Sequence, residues 1–165
     1  MTFFRIKKIK GKEYAYIVEN EWKKKSSQQK VKSYLGRVYR FDLKNNADFA
    51  EYFKIDVQSY IESNDKTKII GDLIELELFK FGISTDEFFI DLNEKIIQKN
   101  KRGVVFMVND GFMCNLTLKN LLEFKSKGDE QTDGYRLARA FVEVGIKVPQ
   151  EVFVGLFGKL YKTTD

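Results

Sequence analysis

Strand-like segments stand together at the start of this 165-residue chain, and helix-like segments follow them as a block. Three stretches of alternating side chains, separated by turn-forming residues, predict strands over residues 3–9, 13–22 and 30–40. Blocks of strands and helices, in contrast to a regular alternation of the two, are typical of α+β folds with antiparallel sheets. We therefore predict an α+β fold that opens with an N-terminal three-stranded antiparallel sheet.

After this sheet, the pattern predicts a helical body that contains one β-hairpin. Apolar residues recur at helical spacing over residues 47–62 and again from Asp65 to Gly82. A hairpin over residues 88–108 and three more helices give the predicted order βββ-αα-ββ-ααα. Because charge, aromatic content and period all change just before residue 44, we predict two domains. They are a basic β-module over residues 1–43 and an α+β body over residues 44–165.

Charge is distributed unevenly along the chain. The first 40 residues hold 12 Lys and Arg against 3 Asp and Glu, a net charge of +9, whereas the remaining residues carry −4. A cationic patch concentrates polyanions, and its side chains neutralise phosphates. We therefore predict that the β-module binds nucleic acid with an affinity that falls as salt rises. DNA and RNA, single-stranded or double-stranded, all fit this pattern.

The candidate nucleic-acid-binding residues are the cations around the two turns and on the third strand, with two aromatic side chains among them. They are Arg5, Lys7, Lys8, Lys10, Lys12, Trp22, Lys23, Lys24, Lys25, Lys30, Lys32, Tyr34, Arg37 and Arg40. One face of the second strand is aromatic and apolar, and consists of Tyr14, Tyr16, Val18 and Trp22. Such a face stacks on unpaired bases in a binding module, or forms the core of a small sheet, and both interpretations stay open here.

The composition excludes several classes of site. The chain contains no histidine and a single cysteine, Cys114, which rules out Ser-His-Asp and Cys-His nucleophile systems and the usual zinc sites. We predict a non-catalytic protein without a cofactor. No apolar run approaches the roughly 20 residues of a membrane helix, and Arg5 follows Phe4 too soon for a signal peptide. The expected location is cytoplasmic, without membrane contact.

A metal-dependent nuclease is the first alternative. Asp110 is followed by Glu123-Phe124-Lys125, an order that resembles restriction-like nucleases, in which two carboxylates hold the Mg²⁺ that activates water and a lysine orients it. Asp91 on the preceding strand would join them. The surrounding residues have helical spacing, however, which would point Glu123 and Lys125 in different directions.

A protein–protein adaptor is the second alternative. The final predicted helix, from Pro149 to Tyr161, is too apolar to read a DNA groove, so we assign it to the core or to a protein interface. Gly155 and Gly158 lie three residues apart on it, which fits close packing against a neighbour. A homodimer or another protein partner would dock on this helix.

Two segments near the N-terminus resemble a known family. Phe4–Glu19 (FRIKKIKGKEYAYIVE) and Gln29–Arg37 (QKVKSYLGR) are similar to the N-terminal β-module of insertion-element DDE transposases, which opens with a basic strand, a glycine turn and two further strands. The resemblance covers about a quarter of the chain and implies a DNA-associated module. It does not imply transposition, because the three spaced carboxylates of that family are not identified. The basic positions of the family would map onto Arg5, Lys7, Lys8, Lys30, Lys32 and Arg37, and Gln28-Gln29 stands where an arginine often occurs.

Overall fold

A computed structural model gives the structure, which describes residues 2–162 apart from the side chain of Lys162. Within this range the order of elements is βββ-ααα-ββββ-ααα. The strands are β1 (Thr2–Ile9), β2 (Lys12–Lys23), β3 (Ser26–Arg40), β4 (Phe89–Asp91), β5 (Ile96–Lys99), β6 (Arg102–Val108) and β7 (Gly111–Met113). The helices are α1 (Phe49–Phe53), α2 (Val57–Ser63), α3 (Lys66–Lys80), α4 (Asn115–Leu122), α5 (Glu130–Val144) and α6 (Gln150–Lys162).

The predicted arrangement of the sheet is wrong, although the fold is α+β. The first three strands are not a separate three-stranded sheet followed by a helical body. They belong to a seven-stranded mixed sheet of order β1-β2-β3-β6-β5-β4, in which β7 also pairs with β6. β3 runs parallel to β6, from Arg37 beside Val104 to Arg40 beside Met107. Local alternation cannot reveal this pairing, because the partners lie far apart in sequence. The boundary before residue 44 stays a prediction, and residues 163–165 of the predicted body lie outside the described residues.

The predicted helix over residues 47–62 is interrupted. Lys54 follows α1 with a left-handed φ of 52°, and the carboxylate of Asp56 caps α2 by accepting the Ser59 N–H at 3.0 Å. Helical spacing does not register this break, because residues of both helices pack against the same core. The predicted hairpin over residues 88–108 is also more divided, since β4 and β5 replace its first strand and β6 its second, and β7 follows after it. No helix within residues 2–162 has the length and apolarity needed to cross a membrane.

The main hydrophobic core lies between the helices and one face of the sheet. On β6, Val104, Phe106 and Val108 pack in this core, whereas Val105 and Met107 lie on the opposite face. A smaller cluster occupies that opposite face, formed by the buried side chains of Ala15, Val38, Val105 and Cys114. β1 and β2 therefore contribute to the smaller cluster and extend the sheet away from the main core.

Gly36 permits the junction between the first three strands and the rest of the sheet. Its φ of +130° lies in a region that L side chains rarely adopt, and a Cβ at this position would overlap the carbonyl oxygen of Gly103. The register of β3 against β2 also shifts here, between Ala15 and Tyr16, as in a β-bulge. Glycine at position 36 therefore satisfies both an unusual backbone angle and the close approach of β3 to β6.

Asp133 anchors the loop of residues 126–128 to α5 by hydrogen bonds. Its fully buried carboxylate accepts hydrogen bonds from the Ser126 hydroxyl at 2.6 Å, from the N–H groups of Lys127 at 2.8 Å and Gly128 at 3.1 Å, and from Arg136 at 2.8 Å. These donors, the Ser126 hydroxyl first, hold the pKa of Asp133 below its usual value. Folding therefore favours the charged carboxylate, whose contribution to stability is present above the unfolded pKa and is lost as pH falls through the lower folded pKa.

Replacing Gly36 tests the junction. We expect Gly36→Ala to lower the free energy of unfolding by about 2 kcal/mol or more, because backbone strain adds to a clash between two strands. Urea denaturation measures this loss. Gly11→Ala is the matched control, since Gly11 also has a positive φ of +78° but a Cβ there meets no atom within 4 Å. This control should lose only about 1–2 kcal/mol of strain energy, and equal losses in the two variants would contradict the role of close approach.

Replacing Asp133 tests the loop anchor through its pH dependence. We expect Asp133→Asn to be less stable than the wild type at pH 7. The difference should narrow below about pH 4, where the carboxyl becomes protonated in the unfolded state while the folded state still holds it charged. Urea denaturation at a series of pH values measures both curves. Asp42→Asn, at an exposed carboxylate, is the control and should show little difference at any pH. A Asp133→Asn difference that is constant between pH 7 and pH 3 would refute the assignment.

Candidate functional site

The sheet formed by β1, β2 and β3 has two unlike faces. On one face the Phe4 ring stacks on Phe112 with centroids 4.7 Å apart, and Ile6 and Ala15 pack in the smaller cluster. The alternate residues point to the other side, where cross-strand pairing brings basic and aromatic side chains together. We call this second side the open face, and its members are Arg5, Lys7, Tyr14, Tyr16, Tyr34 and Arg37.

Three tyrosine rings lie side by side on the open face. The ring centroid of Tyr34 is 6.4 Å from that of Tyr14 and 5.2 Å from that of Tyr16. None of the three rings packs in either hydrophobic cluster of residues 2–162, and Tyr34 is 56% exposed. Of the aromatic and apolar face proposed from the sequence, Val18 alone is buried. Tyr14 and Tyr16 are half-buried on the same side of β2 as Val18, whereas Ala15 on the other side packs in the smaller cluster.

Two cations lie over tyrosine rings of β2 and β3. Lys7 Nζ lies 5.0 Å from the centre of the Tyr16 ring, and Arg37 Cζ lies 4.9 Å from the centre of the Tyr39 ring, both within the range of a cation–π interaction. Burial raises the pKa of the Tyr34 phenol, the neighbouring tyrosines act in the same direction, and the charge of Arg102 opposes them. The Tyr34 phenol is therefore neutral at physiological pH, and the open face keeps its full positive charge.

The three acidic residues among the first 40 lie on the opposite face, and a cation pairs with each. The pairs are Arg40 with Glu13 at 2.5 Å, Lys32 with Glu19 at 2.8 Å and Lys30 with Glu21 at 3.5 Å. Hydrogen bonds from Arg40 and Lys32 hold the pKa values of Glu13 and Glu19 below their usual range, so both carboxylates are charged at neutral pH. The three carboxylates thus offset three of the four cations on this face, whereas the charged side chains that residues 2–40 bring to the open face are all cations.

A two-stranded arm extends beyond the end of β1. The pairing of β1 with β2 runs from Ile9 to Thr2, which lies beside Glu19, so residues 20–29 have no third strand among the described residues. We call residues 20–29 the arm. Trp22 lies near its tip and is 87% exposed. The three lysines of the turn, Lys23, Lys24 and Lys25, are exposed beside it.

The structure separates the sequence-predicted binding residues into four groups. On the open face lie Arg5, Lys7, Tyr34 and Arg37. At the first turn lie Lys10 and Lys12, and in the arm lie Trp22, Lys23, Lys24 and Lys25. On the opposite face lie Lys8, Lys30, Lys32 and Arg40, and three of these four cations are the partners of the acidic residues. The predicted residues therefore do not form one continuous patch.

Sequence reasoning missed the residues that β5 and β6 bring to the border of the open face. Lys99 Nζ lies 5.4 Å from the centre of the Tyr39 ring and also forms an ion pair with Glu87. Arg102 is close enough to Tyr34 to influence its pKa. The position of Tyr39 could have been predicted from the sequence, because it lies two residues after Arg37 in β3 and therefore on the same face. Lys99 and Arg102 have none, because the parallel pairing of β3 with β6 carries them there.

The residues of the nuclease alternative lie apart from one another. Asp110 is in the turn between β6 and β7, before α4 begins. Glu123 lies directly after α4, a helix of 8 residues with a length of about 12 Å, and forms an ion pair with Lys95 at 3.1 Å. Asp91 accepts the N–H of Glu94 in the turn after β4, at 3.1 Å, and Lys125 is exposed in a loop. Within residues 2–162, no group of three His, Cys, Asp or Glu side chains could hold a metal ion.

The final helix borders a groove on the helical side of the molecule. The groove between α2 and α6 has a volume of about 1140 Å³ and is lined by Ile61 and Val154 among other residues. A Cβ at Gly155 would lie 3.0 Å from the Ile61 side chain, so this glycine permits close packing of α6 on α2. A Cβ at Gly158 would meet no atom within 4 Å. A protein partner or a second copy on this helix stays a prediction.

Comparisons with known proteins do not assign a family. No family model, curated protein or solved structure matches this chain significantly. The resemblance of the first 40 residues to a transposase module therefore stays a prediction from the sequence. The open face, the arm and the ion pairs on the opposite face are the observations on which a function can be proposed.

Proposed function

We propose that this chain is a non-catalytic nucleic-acid-binding protein that holds the phosphate backbone on the open face and the arm. The separation of charge across β1, β2 and β3 carries the proposal. The acidic residues are paired on one face, whereas the other face combines Arg5, Lys7 and Arg37 with three tyrosine rings, of which Tyr34 is exposed and Tyr14 and Tyr16 are half-buried. A cationic surface without intervening carboxylates attracts phosphates and releases their counterions, which supplies affinity for any sequence.

The arm supports the same function. Its turn carries three consecutive exposed lysines, and no ion pair among the described residues involves Lys23, Lys24 or Lys25. A two-stranded ribbon is narrow enough to enter the major groove of DNA or to lie along a phosphate backbone. The arm and the open face extend from the same pair of strands, β2 and β3, so one nucleic acid can contact both.

Two triple variants of equal charge test the role of the open face. The first variant is Arg5→Gln, Lys7→Gln and Arg37→Gln, and the matched control is Lys30→Gln, Lys32→Gln and Arg40→Gln on the opposite face. We expect the slope of log affinity against log salt to fall by about 1 for each phosphate contact that the first variant loses. The control should change this slope much less, because its three cations are already paired with carboxylates.

Fluorescence anisotropy with labelled duplex DNA, single-stranded DNA and RNA measures these slopes. Salt-sensitive binding by the wild type and a larger loss in the open-face variant support the proposal. Equal losses in the two variants would indicate that total charge, and not the open face, determines affinity. Absence of binding to all three probes at low salt would refute a nucleic-acid function.

The single tryptophan reports contact with the arm. We expect saturating nucleic acid to change the fluorescence of Trp22, because its indole is exposed at the tip and lies beside the three turn lysines. The Lys23→Gln, Lys24→Gln and Lys25→Gln triple variant should show a smaller change at the same ligand concentration. Fluorescence that stays constant while anisotropy reports saturation would exclude the arm from the binding surface.

A further inference from the structure

The aromatic centre of the open face is not explained by phosphate binding alone. Lysine and arginine side chains suffice to hold a phosphate backbone, and exposed tyrosine rings add little to that interaction. Yet Tyr14, Tyr16 and Tyr34 form one contiguous aromatic surface outside both hydrophobic clusters of residues 2–162, because the Tyr34 ring centroid lies 5.2 Å from that of Tyr16 and 6.4 Å from that of Tyr14. The ligand of this surface should therefore present flat, apolar faces as well as phosphates.

Cations lie over and beside this aromatic surface. Lys7 lies over Tyr16 from β1, and Arg102 approaches Tyr34 from the start of β6. Arg37 lies over Tyr39 between them. Positive charge is thus available on both sides of the rings, so a chain that crosses the strands can place its bases in the middle and its phosphates at the border.

Single-stranded nucleic acid has this combination of groups, and a duplex does not. In a duplex the base faces are stacked on one another, and only base edges and phosphates are accessible. In a single strand each base presents a face that can stack on an aromatic ring, while the phosphates remain accessible. Stacking of this kind tolerates any base sequence, because every base has a π-face.

We propose that the open face binds single-stranded DNA or RNA by stacking bases on Tyr16 and Tyr34, with Tyr14 beside them. This inference rests on the proposed function and adds to it a ligand class and a stacking role for the tyrosines, which the sequence alone left open beside a role in the core. Tyr39, Lys99 and Arg102 form the border of the same surface on the side of β5 and β6.

An abasic oligomer separates stacking from charge. The probes are labelled 12-mers of deoxythymidine and of uridine, an abasic deoxyribose phosphate 12-mer, and a 12-base-pair duplex, all measured by anisotropy at one salt concentration. We expect the deoxythymidine or uridine 12-mer to bind more tightly than the abasic 12-mer, which has equivalent phosphates but no bases. The tighter of these two probes shows whether the protein prefers single-stranded DNA or single-stranded RNA.

Ring substitutions then assign the effect to the open face. We expect Tyr16→Leu and Tyr34→Leu each to weaken binding of the base-containing 12-mer about fivefold or more, which corresponds to the loss of one stacked base. Neither substitution should change binding of the abasic 12-mer. Tyr16→Phe and Tyr34→Phe keep the ring and should retain most of the affinity, and circular dichroism confirms that all four variants are folded.

The outcomes distinguish this inference from the proposed function. Equal affinity for the abasic and base-containing 12-mers, or Leu variants that bind as the wild type does, would overturn base stacking. Salt-sensitive binding of the duplex would in that case still support a nucleic-acid function. Failure to bind any of the probes would overturn both.

Discussion

The parallel pairing of β3 with β6 determines how the rest of the molecule is arranged. It unites the first three strands with the body, because Val38 lies beside Val105 and both pack with Ala15 in the smaller cluster. The contact depends on the absence of a side chain at Gly36, where β3 passes the backbone of Gly103. The partners are separated in sequence by α1, α2, α3, β4 and β5, so the entropy of closing a long loop opposes their contact. Burial on both sides of the joined sheet must offset that cost.

The sequence predicted local structure better than it predicted topology. Alternation located β1 and β2 to within one residue, and Asp65 caps α3 as its position before an apolar helix suggests. The break at Lys54 was missed, because the apolar residues on its two sides keep one helical face. The parallel pairing of β3 with β6 was missed because alternation shows which face a side chain occupies but not which strand lies beside it.

For the candidate site, too, the sequence predicted local features and missed the contacts that depend on topology. Alternation predicts on which face of the sheet each charged side chain lies, since Glu19 and Glu21 alternate with Val18 and Trp22 along β2. Lys30 and Lys32 were grouped with the other cations, because sequence separation does not reveal their ion pairs across the strands. Arg102 joins the open face only through the register of β6 against β3, which no short segment of the sequence contains.

The cations of the open face also explain why it stays open. Helices cover the neighbouring part of the sheet as far as Tyr39 and Phe88, whose ring centroids are 5.1 Å apart. The ion pair between Lys99 and Glu87 lies at the same border. A helix packed further along the sheet would bury Arg5 and Lys7 without carboxylates to pair with them, which costs several kcal/mol for each charge. An apolar protein surface would incur the same cost. The tyrosine rings are therefore accessible to a ligand only if it brings negative charge to the border, and this requirement favours a phosphate-bearing chain over a hydrophobic partner.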